Sequence, residues 1–489
     1  MILNIDGEIN NSYVQNLCLI FFPGAKFSPS EEPDDDTAKV DLSIAQTDSG
    51  CYAKVKMSIG EKSATSEYFS EYNELFTIEK TVKLAAGTAI YDCGCRLFNY
   101  TPPWGILTGI RPAKIAGQLY RELGTKTAAK KVLTTDYLLS PKKAMLATNI
   151  GVFENKLLSK FAPDTCSLYV SIPFCPTRCA YCSFVSYSTK RLLSMIPDYL
   201  ERLLVDIRQT VEIIRQKGQK IVTIYIGGGT PTTLDENQLE RLLSFICETV
   251  DMNSVIEFTL EGGRPDTITK EKLAIANKYN VTRISINPQT MNDEILRGIG
   301  RKHTAKDFLV AYDMARESGI RYINTDIIAG LPGDNFASFS NTVDTIVSLR
   351  PENVTVHTFF AKKASDIIHS GINVYSRNNA EAVKCVDYSQ VVLSGADYKP
   401  YYIYRQKNTV GNLENVGFSL DGCHGFYNSL IMSDRHSIYA VGAGGSTKLV
   451  NEKGEIKRFY VPKYPYEYLE CTPEGEKMQT FYKGLIEFK

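Results

Sequence analysis

At 489 residues the chain is too long for one ordinary domain and long enough for two or three. Its composition, 43% hydrophobic and 22% charged, is that of a globular protein, and equal totals of 55 basic and 55 acidic side chains exclude the basic excess that non-specific nucleic-acid binding requires. No apolar run reaches the roughly 18–20 residues of a membrane span, the start Met1-Ile-Leu-Asn-Ile-Asp6 lacks the pattern of a signal peptide, and twelve scattered cysteines form no disulfide framework, so a reducing cytoplasm is expected.

In chain order, residues 1–165 read as an N-terminal α+β domain. Up to about residue 100 the pattern suggests short β-type segments, such as 14–22 and 52–59, separated by turn clusters that include the acidic run Glu31–Asp36. Cys93 and Cys95 form a C-x-C pair with nothing nearby to complete a metal site, and are read as structural. Helical periodicity follows over 113–123 and 141–161. Trp104, the single tryptophan, reads as a packing residue; its position near Arg111 leaves a wall of a substrate site as the alternative.

Residues 166–378 alternate regularly. Strands are expected at 168–172, 221–226, 257–260, 283–286, 322–328 and 353–358, with helices at 194–217, 236–249, 270–279, 305–318 and 336–349. Asp235 and Thr304 stand where helix caps belong. Such alternation builds a parallel sheet, because parallel neighbours need a crossover, and six units predict an incomplete (β/α)6 barrel of the α/β class. The ligand site of such a fold lies at the carboxyl ends of the strands. Residues 379–489 read as a C-terminal α+β extension, with a helix to about Gly395, a tyrosine-rich run through Arg405, and glycine loops ending at Ser446.

The first strand of the barrel runs into Phe174-Cys175-Pro-Thr-Arg-Cys179-Ala-Tyr181-Cys182. The spacing C-x3-C-x2-C supplies three thiolates where a [4Fe–4S] cluster usually takes four, leaving one iron open to a small molecule. Zinc is the alternative, but the chain has only five histidines and the nearest downstream is His303. The second strand runs into Gly227-Gly-Gly-Thr-Pro231, where the backbone can approach a charged ligand closely. Later strands end at Glu261-Gly-Gly-Arg264, at Asn287-Pro-Gln289 followed by Arg301, and at Asp326 followed by Gly330-Leu-Pro-Gly333. Polar groups at successive strand ends, all facing one mouth, point to a ligand.

On these motifs the chain resembles radical S-adenosylmethionine (SAM) enzymes of the oxygen-independent coproporphyrinogen III dehydrogenase family, most closely its HemZ-type branch. The resemblance runs from about residue 166 to the C-terminus, and the Trp104–Pro112 stretch shares it. It implies a partial (β/α)6 radical-SAM barrel in which Cys175, Cys179 and Cys182 ligate the cluster. The cofactor SAM would meet Tyr169, Tyr181, Gly228, Gly229, Thr230, Glu261, Gln289, Arg301 and Asp326, with a further contact near Phe360 or Ala361. The implied activity is decarboxylation of two propionates of coproporphyrinogen III to vinyls in heme biosynthesis. A 5′-deoxyadenosyl radical removes a hydrogen atom from each propionate's β-carbon, after which CO2 and an electron leave. An electron donor such as flavodoxin or ferredoxin and a porphyrinogen substrate are the implied partners. Arg264, Arg111 and Arg405 are the candidates to hold propionates, for which bidentate guanidiniums are suited. The chain departs from the dehydrogenases after Cys182, where Ser183-Phe184 replaces an often-present fourth cysteine; related heme chaperones lack it too. A heme-binding chaperone of the same fold, with His357 or His424 as axial ligand, and another radical reaction on a tetrapyrrole are the alternative readings.

Overall fold

The computed structural model describes residues 1–27, 37–109, 111–182, 187–360, 380–406 and 409–488; the run Glu31–Asp36, the pair Ser183-Phe184 and Ala361 lie outside them. The chain divides into two compact units. The first takes in Met1–Phe153 together with 380–383 and stretches between 403 and 414. Its sheet has the order β1-β2-β3-β4, formed by β1 (Ile2–Asp6), β2 (Lys39–Gln46), β3 (Gly50–Ile59) and β4 (Lys62–Glu71). The first pair is parallel and the others antiparallel.

Two helices in this unit overturn the expectation of β-segments up to residue 100. Residues 14–22 fall largely in α1 (Asn11–Phe21), whose buried Val14, Leu17, Cys18 and Phe21 follow helical spacing, and the Asn10 side chain caps it by accepting from the Tyr13 N–H at 3.1 Å. A short apolar run is ambiguous by periodicity alone, and the cap decides this one. The second, α2 (Ile78–Phe98), is capped by Thr77 and ends at Asn99 in the left-handed conformation, φ 49°. It packs across β3 and β4. Gly94 lets α1 come close, since a Cβ there would lie 2.5 Å from the Phe21 ring. Helices α3 (Pro112–Leu123), α4 (Lys126–Thr135) and α5 (Pro141–Leu158) follow, near the ranges expected for the first and last. Cys93 is buried with its thiol 3.2 Å from the Ala64 carbonyl.

The second unit holds the parallel strands β5 (Thr165–Ile172), β6 (Lys220–Gly228), β7 (Glu257–Glu261), β8 (Arg283–Ser285), β9 (Tyr322–Ala329) and β10 (Asn353–Thr358). They alternate with helices that include α6 (Lys190–Leu193), α7 (Ile196–Gln216), α8 (Glu236–Thr249), α9 (Lys270–Lys278), α10 (Asp293–Gly298), α11 (Ala305–Glu317) and α12 (Phe336–Leu349). Asp235 and Thr304 each form a capping box, with Gln238 and Asp307. The sheet does not close. It continues through β11 (Lys399–Arg405), β12 (Glu414–Ser419), β13 (Ser437–Val441), β14 (Ser446–Val450) and β15 (Ile456–Tyr460) in the order β11-β12-β10-β9-β8-β7-β6-β5-β13-β14-β15. The C-terminal region thus extends the same sheet at both ends.

Two buried ionic clusters fix what surrounds the strands. At the amino ends, Arg283 pairs with Glu257 at 3.1 Å and donates to Asn324 Oδ1 at 2.8 Å. Glu257 accepts the backbone N–H groups of Phe426 and Tyr427 at 2.9 and 2.8 Å, which docks the short helix Phe426–Met432 under the sheet. On α7, Asp206 pairs with Arg202 and accepts the hydroxyls of Tyr468 and Tyr482 at 2.5 Å each, tying down the two C-terminal helices. Among the described residues no helix is long and apolar enough to cross a membrane.

Candidate functional site

The site is built from the carboxyl end of β5 outward. Pro173 and Phe174 lead from the strand into the cysteine loop, and Phe174 bridges to Tyr187. The Cys175 N–H donates to the Tyr187 carbonyl at 3.0 Å, and the Tyr187 N–H returns a bond to Pro173 at 2.9 Å. The Cys182 N–H donates to the Cys179 carbonyl at 3.1 Å, and the Ala180 N–H to Ile299 at 3.0 Å. Cys175 and Cys179 are buried and Cys182 is half-buried.

The glycine run after β6 closes against this loop. The Gly229 N–H donates to Ile172 at 2.8 Å and the Thr230 N–H to Phe174 at 2.7 Å, while the Thr230 hydroxyl lies 3.3 Å from the Cys175 thiol. A Cβ on Gly229 would stand 2.5 Å from the Phe174 carbonyl, and one on Gly227 2.6 Å from a Glu261 carboxylate oxygen. Gly228 has φ +115°, open to glycine at little cost. The run is therefore a cradle that side chains would fill.

Two arginines reach Cys179. Arg264, only 2% exposed, holds Asp266 with both arms of its fork, at 3.0 and 3.1 Å, and points Nη1 at the Thr177 carbonyl (3.4 Å) and the Cys179 sulfur (3.6 Å). Expected among the propionate holders, this guanidinium is turned to the cysteine loop and to Asp266. Arg301 donates to the Asn287 carbonyl at 2.6 Å and also faces Tyr181 and Cys179. Burial opposes its charge, but the Tyr181 hydroxyl and Cys179 thiol outweigh that and hold it firmly protonated. His303 beside them is pushed down to about 4 by burial and then by the Arg301 charge, so it is neutral.

The remaining strand ends gather Glu261, Asn287, Gln289, Asp326 and His357. Asn287 and Asp326 exchange two bonds of 3.1 Å, side chain to side chain and backbone to side chain. His357 Nε2 stands 3.5 Å from the Asp326 carboxylate. Gln289 adopts φ +69°, uncommon for a residue with a side chain, and its buried Oε1 has no hydrogen-bond partner. Loss of hydration, then the neighbouring Asp326 charge, push Glu261 up to about 8, against the Gly228 N–H and Tyr225 hydroxyl that stabilise its charged form. Tyr169, Tyr225 and Tyr427 stack beside Glu261, with the Tyr225 and Tyr427 rings 4.5 Å apart at 23°. Tyr225 and Tyr427 escaped the sequence reading. Strand alternation with Gly227 could have found the first; nothing local marks the second.

Among the described residues no three His, Cys, Asp or Glu side chains are gathered tightly enough to hold a single metal ion. The donor set of the loop, three thiols with two guanidiniums facing the middle one, suits an anionic iron–sulfur cluster with one thiolate per iron. The glycine cradle and the orphaned Gln289 oxygen suit a polar organic cofactor beside it.

Trp104, Arg405 and Arg111 lie in the first unit. Trp104 is fully buried, donating to Glu414 Oε2 at 2.8 Å, while Lys143 donates to Glu414 Oε1 at 2.6 Å. Arg405 lies over the Trp104 ring, 5.1 Å from its centroid, and donates to Leu107 and to Asn412 Oδ1 at 2.9 Å. These contacts make Trp104 a packing residue and leave Arg405 buried within the same cluster rather than open to a substrate. Arg111 sits at the amino end of α3.

The radical SAM superfamily model matches residues 169–346. The chain is 34% identical over 463 residues to the oxygen-independent coproporphyrinogen-III oxidase-like protein HemZ of Bacillus subtilis, covering 94% of this chain and 92% of that one. It is 36% identical over 197 residues to the heme chaperone HemW of the same organism, covering 40% of this chain and 51% of that one. The solved structure of coproporphyrinogen III oxidase (HemN) from Escherichia coli aligns over 61% of this chain and 67% of that one, with TM-score 0.47 and 20% identity.

Proposed function

Because the chain belongs to the radical SAM superfamily, in the family of the coproporphyrinogen-III oxidase-like protein HemZ, we propose that it is an oxygen-independent coproporphyrinogen III dehydrogenase. The observation that carries this reading is the cysteine loop closed by the glycine cradle, with polar groups from successive strand ends facing it. When bound, the cluster and SAM that the superfamily uses supply one-electron radical chemistry.

The chain's own residues then hold and orient. Cys175, Cys179 and Cys182 take the cluster, and Gly228, Gly229 and Thr230 line the methionine part of SAM. The carboxylates of Asp326 and Glu261 accept ribose hydroxyls, with Glu261 able to donate while it keeps its proton. Gln289 turns its unpaired amide oxygen to the cofactor, Arg301 supplies a fixed cation, and Tyr169 and Tyr181 wall the site. Each propionate would give a hydrogen atom to the bound cofactor, release CO2 and pass one electron to an external one-electron acceptor, leaving a vinyl group. A flavodoxin- or ferredoxin-type donor in the cytoplasm would supply the reducing electrons.

A heme chaperone is the second reading, favoured by the absence of a fourth cysteine after Cys182 and by the likeness to HemW. One anaerobic incubation with coproporphyrinogen III, SAM and a reductant separates the two. Mass spectrometry should show stepwise loss of two formic-acid equivalents; tight heme binding with an unchanged porphyrinogen would favour the chaperone.

A further inference from the structure

The surroundings of Cys179 hold more positive charge than the described residues there balance. Arg264 and Arg301 are 2% and 7% exposed, and both face the Cys179 thiol. Among the described residues, Asp266 is the single carboxylate in ion-pair contact with either. His303 adds no charge, because burial and the neighbouring arginines keep it neutral. Buried guanidiniums without a counter-charge are costly, so this arrangement calls for an anion at the cysteine loop.

The two arginines are not equivalent. Arg301 is tied to the Asn287 carbonyl at 2.6 Å and belongs to the proposed cofactor contacts. Arg264 is fixed from the other side: Asp266 grips Nε and Nη2, so the fork cannot turn, and Nη1 is left facing sulfur at 3.6 Å. A hydrogen bond to a ligating sulfur is one of the protein's levers on the potential of an iron–sulfur cluster. A cluster on three thiolates is anionic and becomes more so when it accepts an electron. A fixed cation beside one thiolate therefore stabilises the reduced form more than the oxidised one.

We propose that Arg264, held by Asp266, is a positioning residue that raises the reduction potential of the cluster through the Cys179 sulfur. The proposal rests on reading the three-cysteine loop as the cluster site. It gives Asp266 a definite part as well: it aims the fork, and its charge moderates the cation.

The two residues must act with opposite sign. Removing the cation (Arg264→Gln) should weaken the cluster's electron affinity about tenfold, a midpoint lower by about 59 mV for one electron. Removing the anion (Asp266→Asn) should raise the midpoint by a smaller step, about two- to fivefold in affinity. The full-length protein is reconstituted anaerobically and titrated against redox dyes, following the cluster by electron paramagnetic resonance. Thermal unfolding of the cluster-free variants reports structural damage separately. A fall for Arg264→Gln with a rise for Asp266→Asn supports the proposal, and the reverse pair overturns it. Equal midpoints, or shifts of the same sign, overturn it, as does loss of the cluster from both variants at unchanged unfolding temperature. If Arg264→Gln fails to fold, the Asp266→Asn midpoint decides alone: a rise supports the proposal and no change overturns it. A wild-type chain that takes up no iron–sulfur cluster would overturn the functional reading as well; a normal cluster with unmoved midpoints would overturn only this inference.

Discussion

Glu261 shows how one carboxyl can couple the site to stability. Loss of hydration and the Asp326 charge raise it from an ordinary 4.5 to about 8. Between those values the folded chain keeps a proton that the unfolded chain has lost, so stability falls as pH rises toward 8 and is unaffected by this group below the ordinary value. Glu261→Gln should therefore flatten the fall in unfolding temperature of the cluster-free protein between about pH 5 and about pH 8.5. An unchanged slope would show that Glu261 is not held protonated. Gly229 makes a sharper demand, because the atom a Cβ would meet at 2.5 Å is the Phe174 carbonyl, backbone that cannot swing away. Gly229→Ala should push the cysteine loop off β6 and lower cluster loading more than it lowers unfolding temperature. Iron and sulfide analysis beside a melting curve checks it.

At the scale of elements, the caps carry a measurable share. The Asp235 side chain accepts the Gln238 N–H at 2.8 Å and the Asp235 backbone N–H donates to the Gln238 side chain at 3.1 Å, so Asp235→Ala should cost about 1 kcal/mol in urea unfolding, with Asp235→Asn close to wild type. This cap was visible in the sequence, as were the six parallel strands and their helices, since each declares itself through local periodicity and a local start signal. The strand-end residues were legible for the same reason: order along the chain fixes which groups reach the carboxyl ends. The helices α1 and α2 were not, because an apolar run that fits two periods is settled by its cap and its tertiary partners. Nor were the partners of Arg264 and Arg405. A guanidinium near a motif looks available until the fold supplies the acceptor, and for Arg405 that acceptor, the Leu107 carbonyl, lies 298 residues away.

For the whole molecule, long-range polar contacts decide what the local elements cannot. Asp206 anchors the C-terminal helices by a buried ion pair and two tyrosine hydroxyls, all converging on one carboxylate. Asp206→Ala leaves Arg202 buried without its counter-charge and should destabilise the second unit by about 3–5 kcal/mol. Urea unfolding followed by near-ultraviolet circular dichroism reads the loss; a cost below about 1 kcal/mol would mean that the helices are held mainly by apolar packing. A sheet that stays open also has a rim. On β15, pleated against β14 alone among the described strands, Lys457 and Arg458 project into solvent and Tyr460 is 68% exposed. Such a margin is a template on which a second chain could lengthen the sheet, and like charges laid across it make an identical neighbour unwelcome. An open sheet that leaves a mouth for chemistry thus also leaves an edge, and here that edge carries two exposed cations.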